Sequence, residues 1–321
     1  MMELTKFFLP FASGFGLTFA FMPLFIHYFQ MKKYGQEIRD EGPKWHNVKA
    51  GTPTMGGLVF SLAAIVTSIW AAVWLKLLTP TLFILLFVFL LYGTLGFLDD
   101  FIKIFMKRNL GLKSLQKLIG QIIGGVVFYL VFLADKQPNT LNFFTIEIPL
   151  SYLYGLFIVF WLVGFSNAVN LTDGIDGLVS GLGTISFLTY AIIAWHQKQY
   201  DILLVCISVV GGLVGFFPYN HKPAKIFMGD VGSLALGGLL ASISILLHQE
   251  WTLLLVGLIY VIETASVMLQ VTSFKLTGKR IFKMSPIHHH FEMSGWSEWK
   301  IDIVFWLIAV ICSVVTLMIV L

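Results

Sequence analysis

Apolar runs of about 17 to 25 residues recur along the chain with short polar interruptions, the length an α-helix needs to cross the hydrocarbon of a bilayer. Segmentation on this pattern predicts ten transmembrane helices, near 7–29, 56–75, 81–98, 118–134, 152–166, 178–195, 201–217, 233–247, 252–270 and 301–320. The interruptions leave no room for a soluble domain. The expected fold is therefore an all-α polytopic membrane protein, a single integral-membrane domain over 1–321. One stretch has a different period: Phe144, Ile146 and Ile148 alternate with Thr145 and Glu147, which predicts a short exposed strand or β-hairpin near 140–150. The first apolar run, Phe7 to Phe29, lacks a basic leader and a small-residue cleavage site, and it reads as a retained first span.

Composition agrees with this picture, since 57% of the 321 residues are hydrophobic and only 12% charged, whereas a soluble domain carries about a quarter charged residues. The net charge of +4 invites a nucleic-acid reading, but in a membrane chain basic residues report orientation first. Alternating the connections puts segments 30–55, 99–117, 167–177, 218–232 and 271–300 on one side. That side holds seventeen of the 21 Lys and Arg, all but Lys6, Lys76, Lys136 and Lys198. The rich side is then cytoplasmic, both termini are extracytoplasmic, and no nucleic-acid partner is implied. Cys206 and Cys312 sit in separate apolar runs and read as packing residues, with neither a disulfide nor a zinc site in prospect.

Polar residues concentrate on the cytoplasmic side. Span three ends in Asp99-Asp100, where a solvated helix end explains the acids as well as a ligand role does. Neighbouring residues do not share a helix face, so the two are expected to do different jobs, one toward a metal and the other toward a second substrate or a lysine. The segment Asn167 to Gly177 has no Lys or Arg, against the positive-inside trend, and its Asn170, Asp173 and Asp176 recur every third residue, as along one face of a helical turn. A plain turn accounts for Asp173-Gly174 and Asp176-Gly177 but not for the missing counter-charge. Asp230 stands between Gly229 and Val231 just ahead of span eight. An N-cap explains it as readily as a metal ligand does, and the helix start beyond it is equally a seat for phosphate. In the last cytoplasmic segment, His288, His289 and His290 are consecutive, a spacing that does not converge on one zinc, so phosphate or sugar contact is the better reading. Glu263 and Gln270, seven residues apart in span nine, share a face expected to point into the protein.

Acids, histidines and lysines drawn from four segments on one side describe a composite cytoplasmic pocket. A transporter would place its ionisable groups near mid-bilayer in matching halves, and no such halves are visible. Carboxylates beside lysines suit Mg²⁺ with phosphate oxygens, which implies phosphoryl transfer with one lipid substrate from the bilayer.

The motifs Leu98-Asp99-Asp100, Asn167 to Gly177, Phe227 to Ser233 and Pro286 to Phe291 resemble those of the polyprenyl-phosphate N-acetylhexosamine-1-phosphate transferase family, and the likeness covers all ten spans. The triple histidine and Gly51 to Gly57 point to its muramoyl branch. The resemblance implies transfer of phospho-MurNAc-pentapeptide from UDP-MurNAc-pentapeptide to undecaprenyl phosphate, giving lipid I and UMP, in a bacterial cytoplasmic membrane. It further implies a Mg²⁺ cofactor held by Asp230, and a homodimer. Asp99, Asp100, Asp230 and His289 are the implied catalytic residues, with Asp99 near the lipid phosphate. Asn170, Asp173, Asp176, Asn220, Phe227 and Gln270 are placed near the nucleotide, with Phe227 stacking on uracil. Lys103, Lys107 and Lys117 are implied to meet phosphates, and His288 and His290 the substrate. A sister enzyme moving GlcNAc-1-phosphate and a lipid or ion transporter are the competing readings. The CDP-alcohol transferases expect Asp-Gly-x-x-Ala-Arg, from which Asp173 to Leu178 departs.

Overall fold

The computed structural model describes residues 3–32, 34–35, 49, 51–106, 111–143 and 146–321. Each of the ten apolar segments is helical. In chain order the helices are α1 (Phe8–Met31), α2 (Gly56–Leu75), α3 (Pro80–Phe105), α4 (Ser114–Ala134), α5 (Leu153–Thr172), α6 (Leu178–His196), α7 (Tyr200–Asn220), α8 (Asp230–Leu246), α9 (Thr252–Val256), α10 (Leu258–Thr277), α11 (Ile287–Glu292) and α12 (Glu298–Val320). Between α4 and α5, β1 (Thr140–Phe143) pairs antiparallel with β2 (Ile146–Pro149), Phe143 opposite Ile146, which is the expected hairpin. Phe144 and Thr145 of the predicted alternation lie outside the described residues.

Among the described residues, eight helices are long and apolar enough to cross a membrane. The expected ten differ at two places, each for a physical reason. α8 is only 17 residues long, and every residue from Val231 to Leu246 is buried. A helix apolar on all sides and wrapped by its neighbours has no lipid-facing stripe and no need to reach both interfaces. The ninth predicted span is broken at Gly257 into α9 and α10, and α10 carries Glu263 and Gln270 buried among its neighbours. On the outer helices the opposite holds, with Phe8, Leu156, Phe160 and Met318 all strongly exposed, as bilayer-facing side chains are.

Helix starts follow local chemistry. Thr79 Oγ1 accepts the Leu82 N–H ahead of α3, whose first residue is Pro80, and Ser297 Oγ accepts the Lys300 N–H ahead of α12. Two boundaries moved from expectation. α3 runs on to Phe105, so Asp99, Asp100 and Lys103 are helical, and α5 runs to Thr172, so Asn167 and Asn170 stand on a helix rather than in a loop.

The seams around α8 are closed by glycine. A Cβ at Gly96 of α3 would lie 2.1 Å from the Asp230 carbonyl oxygen, and one at Gly57 of α2 would lie 2.3 Å from the Gly232 nitrogen. Backbone therefore packs on backbone where α8 begins, the close approach that small residues permit between membrane helices. Segment 53–57 adds main-chain bonds to the stretch before α8: Phe227 N–H donates to Pro53 O, Gly56 N–H to Phe227 O and Gly57 N–H to Met228 O, all at 2.8–2.9 Å.

Candidate active site

The ends of α3 and α5 meet the starts of α4 and α8. Asp99, Asp100 and Asp230 each offer a carboxylate oxygen there, all within 4.8 Å of one another. Within the cluster the two neighbours have different main partners, Asp99 the two lysines and the Leu112 N–H, Asp100 the Val231 N–H. Two successive carboxylates diverge by about 100° around the helix, yet α8 runs alongside α3, Gly96 against Asp230 and Tyr92 against Gly238, and both carboxylates reach the start of α8.

Asp100 takes the part expected of Asp230. Its Oδ2 accepts the Val231 N–H at 3.2 Å, so a carboxylate from α3 caps α8 across the helix interface. The N-cap residue itself is Gly229, at φ 77°, where an L side chain is strained and a Cβ would lie 2.6 Å from Asp100 Oδ2. Asp230 is the first helical residue, and its carboxylate points away into the cluster. The helix start that could have received phosphate is thus already occupied by an acid.

Two lysines fill the space between the acids. Lys117 Nζ lies 3.0 Å from Asp99 Oδ1 and 2.7 Å from Asp230 Oδ2. Lys103 Nζ pairs with Asp99 Oδ2 and lies 3.3 Å from Asp230 Oδ2 and 3.9 Å from Asp100 Oδ1. Lys107 lies outside the described residues. Asp99 Oδ1 also accepts the Leu112 N–H at 2.7 Å, which ties the α3–α4 connection to the cluster. Beside these residues opens a cleft of about 520 Å³ lined by Asp99, Lys103, Lys117, Leu118, Gln121 and Asn167. Asn167 donates to Gln121 Oε1 at 3.0 Å, and Gln121 donates in turn to Ser166 Oγ at 3.2 Å. Gln121, Asn167 and Ser166 were not anticipated as site residues; a glutamine inside an apolar run is the signal that could have found the first.

On the other flank, Asn170 Nδ2 donates to Asp230 Oδ1 and to Ser233 Oγ, both at 2.9 Å. Asp173 caps the end of α5 and accepts from the Gly229 N–H. Burial, then the charge of Asp230, pushes its carboxyl up to about 7, against the pull of that hydrogen bond. Asp176 does not share this face, because α5 ends at Thr172 and the turn redirects the chain. Its Oδ1 lies 2.7 Å from Lys49 Nζ and its Oδ2 accepts the Ala224 N–H at 3.0 Å. Lys49 also reaches Glu298 Oε2 at 2.8 Å. Burial would lower the Lys49 ammonium, but Glu298 and Asp176 outweigh it and hold it above its usual range. Neither Lys49 nor Glu298 was anticipated, since their pairing spans 249 residues of sequence.

The amides expected at the nucleotide hold loops. Asn220 Oδ1 accepts from Ser180 Oγ and its Nδ2 donates to Ile226 O, which positions the stretch leading to Phe227. Gln270 Oε1 accepts the N–H groups of Ile281 and Phe282, and Nε2 donates to Phe282 O. The three histidines diverge, as consecutive residues on the short helix α11 must. His288 Nδ1 lies 3.1 Å from Glu263 Oε2, both fully buried, and its Nε2 lies against Gly174. His289 Nδ1 meets Glu292 Oε2 at 2.6 Å, and His290 Nδ1 accepts the Lys283 N–H at 3.1 Å.

No soft donor is present in the aspartate cluster. Three carboxylates, oriented by N–H donors around them, offer the oxygen ligands that a hard cation takes, and two ammonium groups beside them are suited to anionic phosphate.

Comparison with known proteins adds an independent line. The model of glycosyl transferase family 4 matches residues 82–248. A phospho-N-acetylmuramoyl-pentapeptide-transferase signature matches residues 49–60, the stretch that carries Lys49 and packs by its backbone against Phe227 and Met228. The chain is 74% identical over 317 residues to a phospho-N-acetylmuramoyl-pentapeptide-transferase from Enterococcus hirae, covering 98% of this chain and 99% of that protein. Proteins of the same name from Enterococcus faecalis and Latilactobacillus sakei are 68% and 63% identical, each with at least 98% of both chains covered.

Proposed function

The chain belongs to glycosyl transferase family 4 and, within it, to the phospho-N-acetylmuramoyl-pentapeptide-transferases; from that premise we propose that it transfers phospho-MurNAc-pentapeptide from UDP-MurNAc-pentapeptide to undecaprenyl phosphate. The products are lipid I and UMP, and the step is the first membrane step of peptidoglycan synthesis. The observation that carries this reading is the aspartate–lysine cluster of Asp99, Asp100, Asp230, Lys103 and Lys117 at the mouth of a cleft between membrane helices.

In this reading an oxygen of the lipid phosphate attacks the β-phosphorus of the donor, a new P–O bond forms, and the bond to UMP breaks. A phosphate monoester has its second pKa near 6 and is already largely dianionic at neutral pH, so positioning and charge stabilisation outweigh proton removal. Asp230 and Asp99, with Asp100 behind them, would hold Mg²⁺, which when bound supplies charge neutralisation at the transferring phosphoryl group. Lys117 and Lys103 would exchange their carboxylate partners for phosphate oxygens. The cleft beside Gln121 and Asn167, walled by Leu118, would take the lipid phosphate and its first prenyl units. Asn170, Asp173 and Asp176 would line the nucleotide side, with Phe227 against uracil and Asn220 and Gln270 holding the surrounding loops. His289 and His290 would close the site over the sugar and its phosphates, on a short helix that the buried His288 anchors beside Glu263.

The proposal also sets the topology. α8 and the broken α9–α10 pair complete ten membrane-embedded segments, both termini are extracytoplasmic, and the site faces the cytoplasm of a bacterial inner membrane. It is supported by the ends that meet at the cluster, which are the ones the basic residues mark.

The test supplies UDP-MurNAc-pentapeptide and undecaprenyl phosphate to purified protein and measures UMP and lipid-linked product, with UDP-GlcNAc as the competing donor. Absence of a lipid-linked product in the presence of Mg²⁺ overturns the reading. A transporter would release no UMP.

A further inference from the structure

Beside the aspartate cluster lies a second charged assembly, of which the chemistry above uses Asp176 alone. Glu298, the first residue of α12, is buried, yet each of its carboxylate oxygens is committed. Oε1 lies 2.7 Å from Lys222 Nζ; Oε2 lies 2.8 Å from Lys49 Nζ and accepts the Asp176 N–H at 3.2 Å. Asp176 closes the ring by meeting the same Lys49 ammonium at 2.7 Å and the Ala224 N–H at 3.0 Å. One glutamate thus joins four separate stretches of chain: residue 49, the turn after α5, the loop after α7 and the start of α12. One helical turn on, Asp302 is also buried, and its Oδ1 has no hydrogen-bond partner among the described residues. Among the described residues the acids therefore outnumber the two lysines that pair with them.

Charge pairs of this kind rarely add stability, because desolvation cancels most of the attraction. What they fix is geometry. Three of the four joined stretches border the proposed nucleotide side: the turn carries Asp173 and Asp176, the loop after α7 leads to Phe227, and Lys49 begins the segment whose backbone bonds hold Phe227 and Met228. We infer that Glu298 is a positioning residue for the uridine-nucleotide donor, setting where Lys49, Lys222 and the Asp176 turn stand before the donor arrives. Glu298 itself touches no reacting atom; it acts through the two lysines and one backbone N–H. The inference rests on the donor reading above and deepens it.

The test uses the full-length protein in detergent or lipid. Glu298→Gln keeps the size of the side chain but turns an NH₂ toward one of its cationic partners. The expected result is a rise of about tenfold in donor KM and in the UMP dissociation constant by calorimetry, with kcat changed less than about threefold. Glu298→Asp restores part of that loss. Lys222→Met, at a partly exposed position, frees one oxygen of Glu298 and gives a smaller rise, about threefold, without unmaking the Lys49–Asp176 pair. It decides the matter should Glu298→Gln fail to fold. A merely structural role would lower the melting temperature and leave UMP affinity unchanged in the folded fraction. If wild-type protein forms lipid-linked product while both variants hold UMP affinity and donor KM within twofold, the positioning role is overturned. If wild-type protein forms none, it is the donor reading that fails.

Discussion

The Lys117 ammonium lies 2.7 Å from Asp230 Oδ2, so a cation from the first turn of α4 neutralises the acid that opens α8. The same ammonium reaches Asp99 of α3, so with Lys103 it supplies the counter-charge of the cluster. Lys117→Met is expected to lower kcat by at least about 10²-fold, the usual loss when a preorganised charge is removed. It also leaves three carboxylates less compensated, so stabilisation of the folded protein by added Mg²⁺ should grow. A thermal-unfolding titration with Mg²⁺ checks this, and equal stabilisation of variant and wild type would contradict it.

Metal removal should act through the carboxylate oxygens. With EDTA, product formation should cease and return on adding Mg²⁺. Asp230→Asn keeps the hydrogen bond from Asn170 within reach but loses a charged ligand, and it should retain less than about 1% of wild-type turnover. Asp230→Asn protein with full turnover would remove Asp230 from the metal site.

Asp173 should leave a mark on the pH dependence of stability. Its folded-state pKa of about 7 lies above the ordinary aspartate value near 3.8. Between those pH values the folded chain keeps a proton that the unfolded chain has released, so ligand-free stability falls as pH rises through this window and the full penalty stands above pH 7. Asp173→Asn should flatten the slope. Melting temperatures of both proteins from pH 5 to pH 8 decide, and parallel curves would show that another group titrates.

Gly96→Ala should be costly out of proportion to its size. The added Cβ would meet the Asp230 carbonyl oxygen at 2.1 Å, on a backbone that cannot swing aside as a side chain does. Separation of α3 from α8 would draw Asp99 and Asp100 off Asp230, and displacements of about 1 Å cost on the order of 10²-fold in rate. A matched substitution at Gly164, where a Cβ meets nothing within 4 Å, serves as the control and should be near neutral.

The cleft between α3, α4 and α5 should govern the lipid substrate alone. Leu118→Trp narrows it, and the KM for undecaprenyl phosphate should rise several-fold while UMP affinity stays constant. A change in nucleotide affinity instead would place the donor in that cleft.

Much of the architecture was legible in hydropathy. Each of the ten apolar runs became helix, and the alternation after α4 became a hairpin, because a bilayer imposes a length and a period that a sequence cannot hide. What could not be read was whether a run faces lipid. α8 is as apolar as its neighbours, but only packing shows that protein surrounds it on every side. The site was half legible for a similar reason. Asp99, Asp100 and Asp230 stood out because acids beside apolar spans are costly. Lys49 and Glu298 did not stand out, since their pairing joins a stretch ahead of α2 to the start of α12, 249 residues away. The N-cap of α8 misled by the same route: a local rule named Asp230, and the capping carboxylate came from Asp100 on another helix.

The glycine seam between α3 and α8 has a mechanical consequence. Where main chain rests on main chain there is no layer of side chains to compress, so a thicker or thinner bilayer has little to act on at that point. Changes of membrane thickness should be absorbed by tilting of the lipid-facing helices, α1 and α12 among them, while the spacing of the three aspartates holds. The chemistry is thereby insulated from the lipid in which one of its substrates travels.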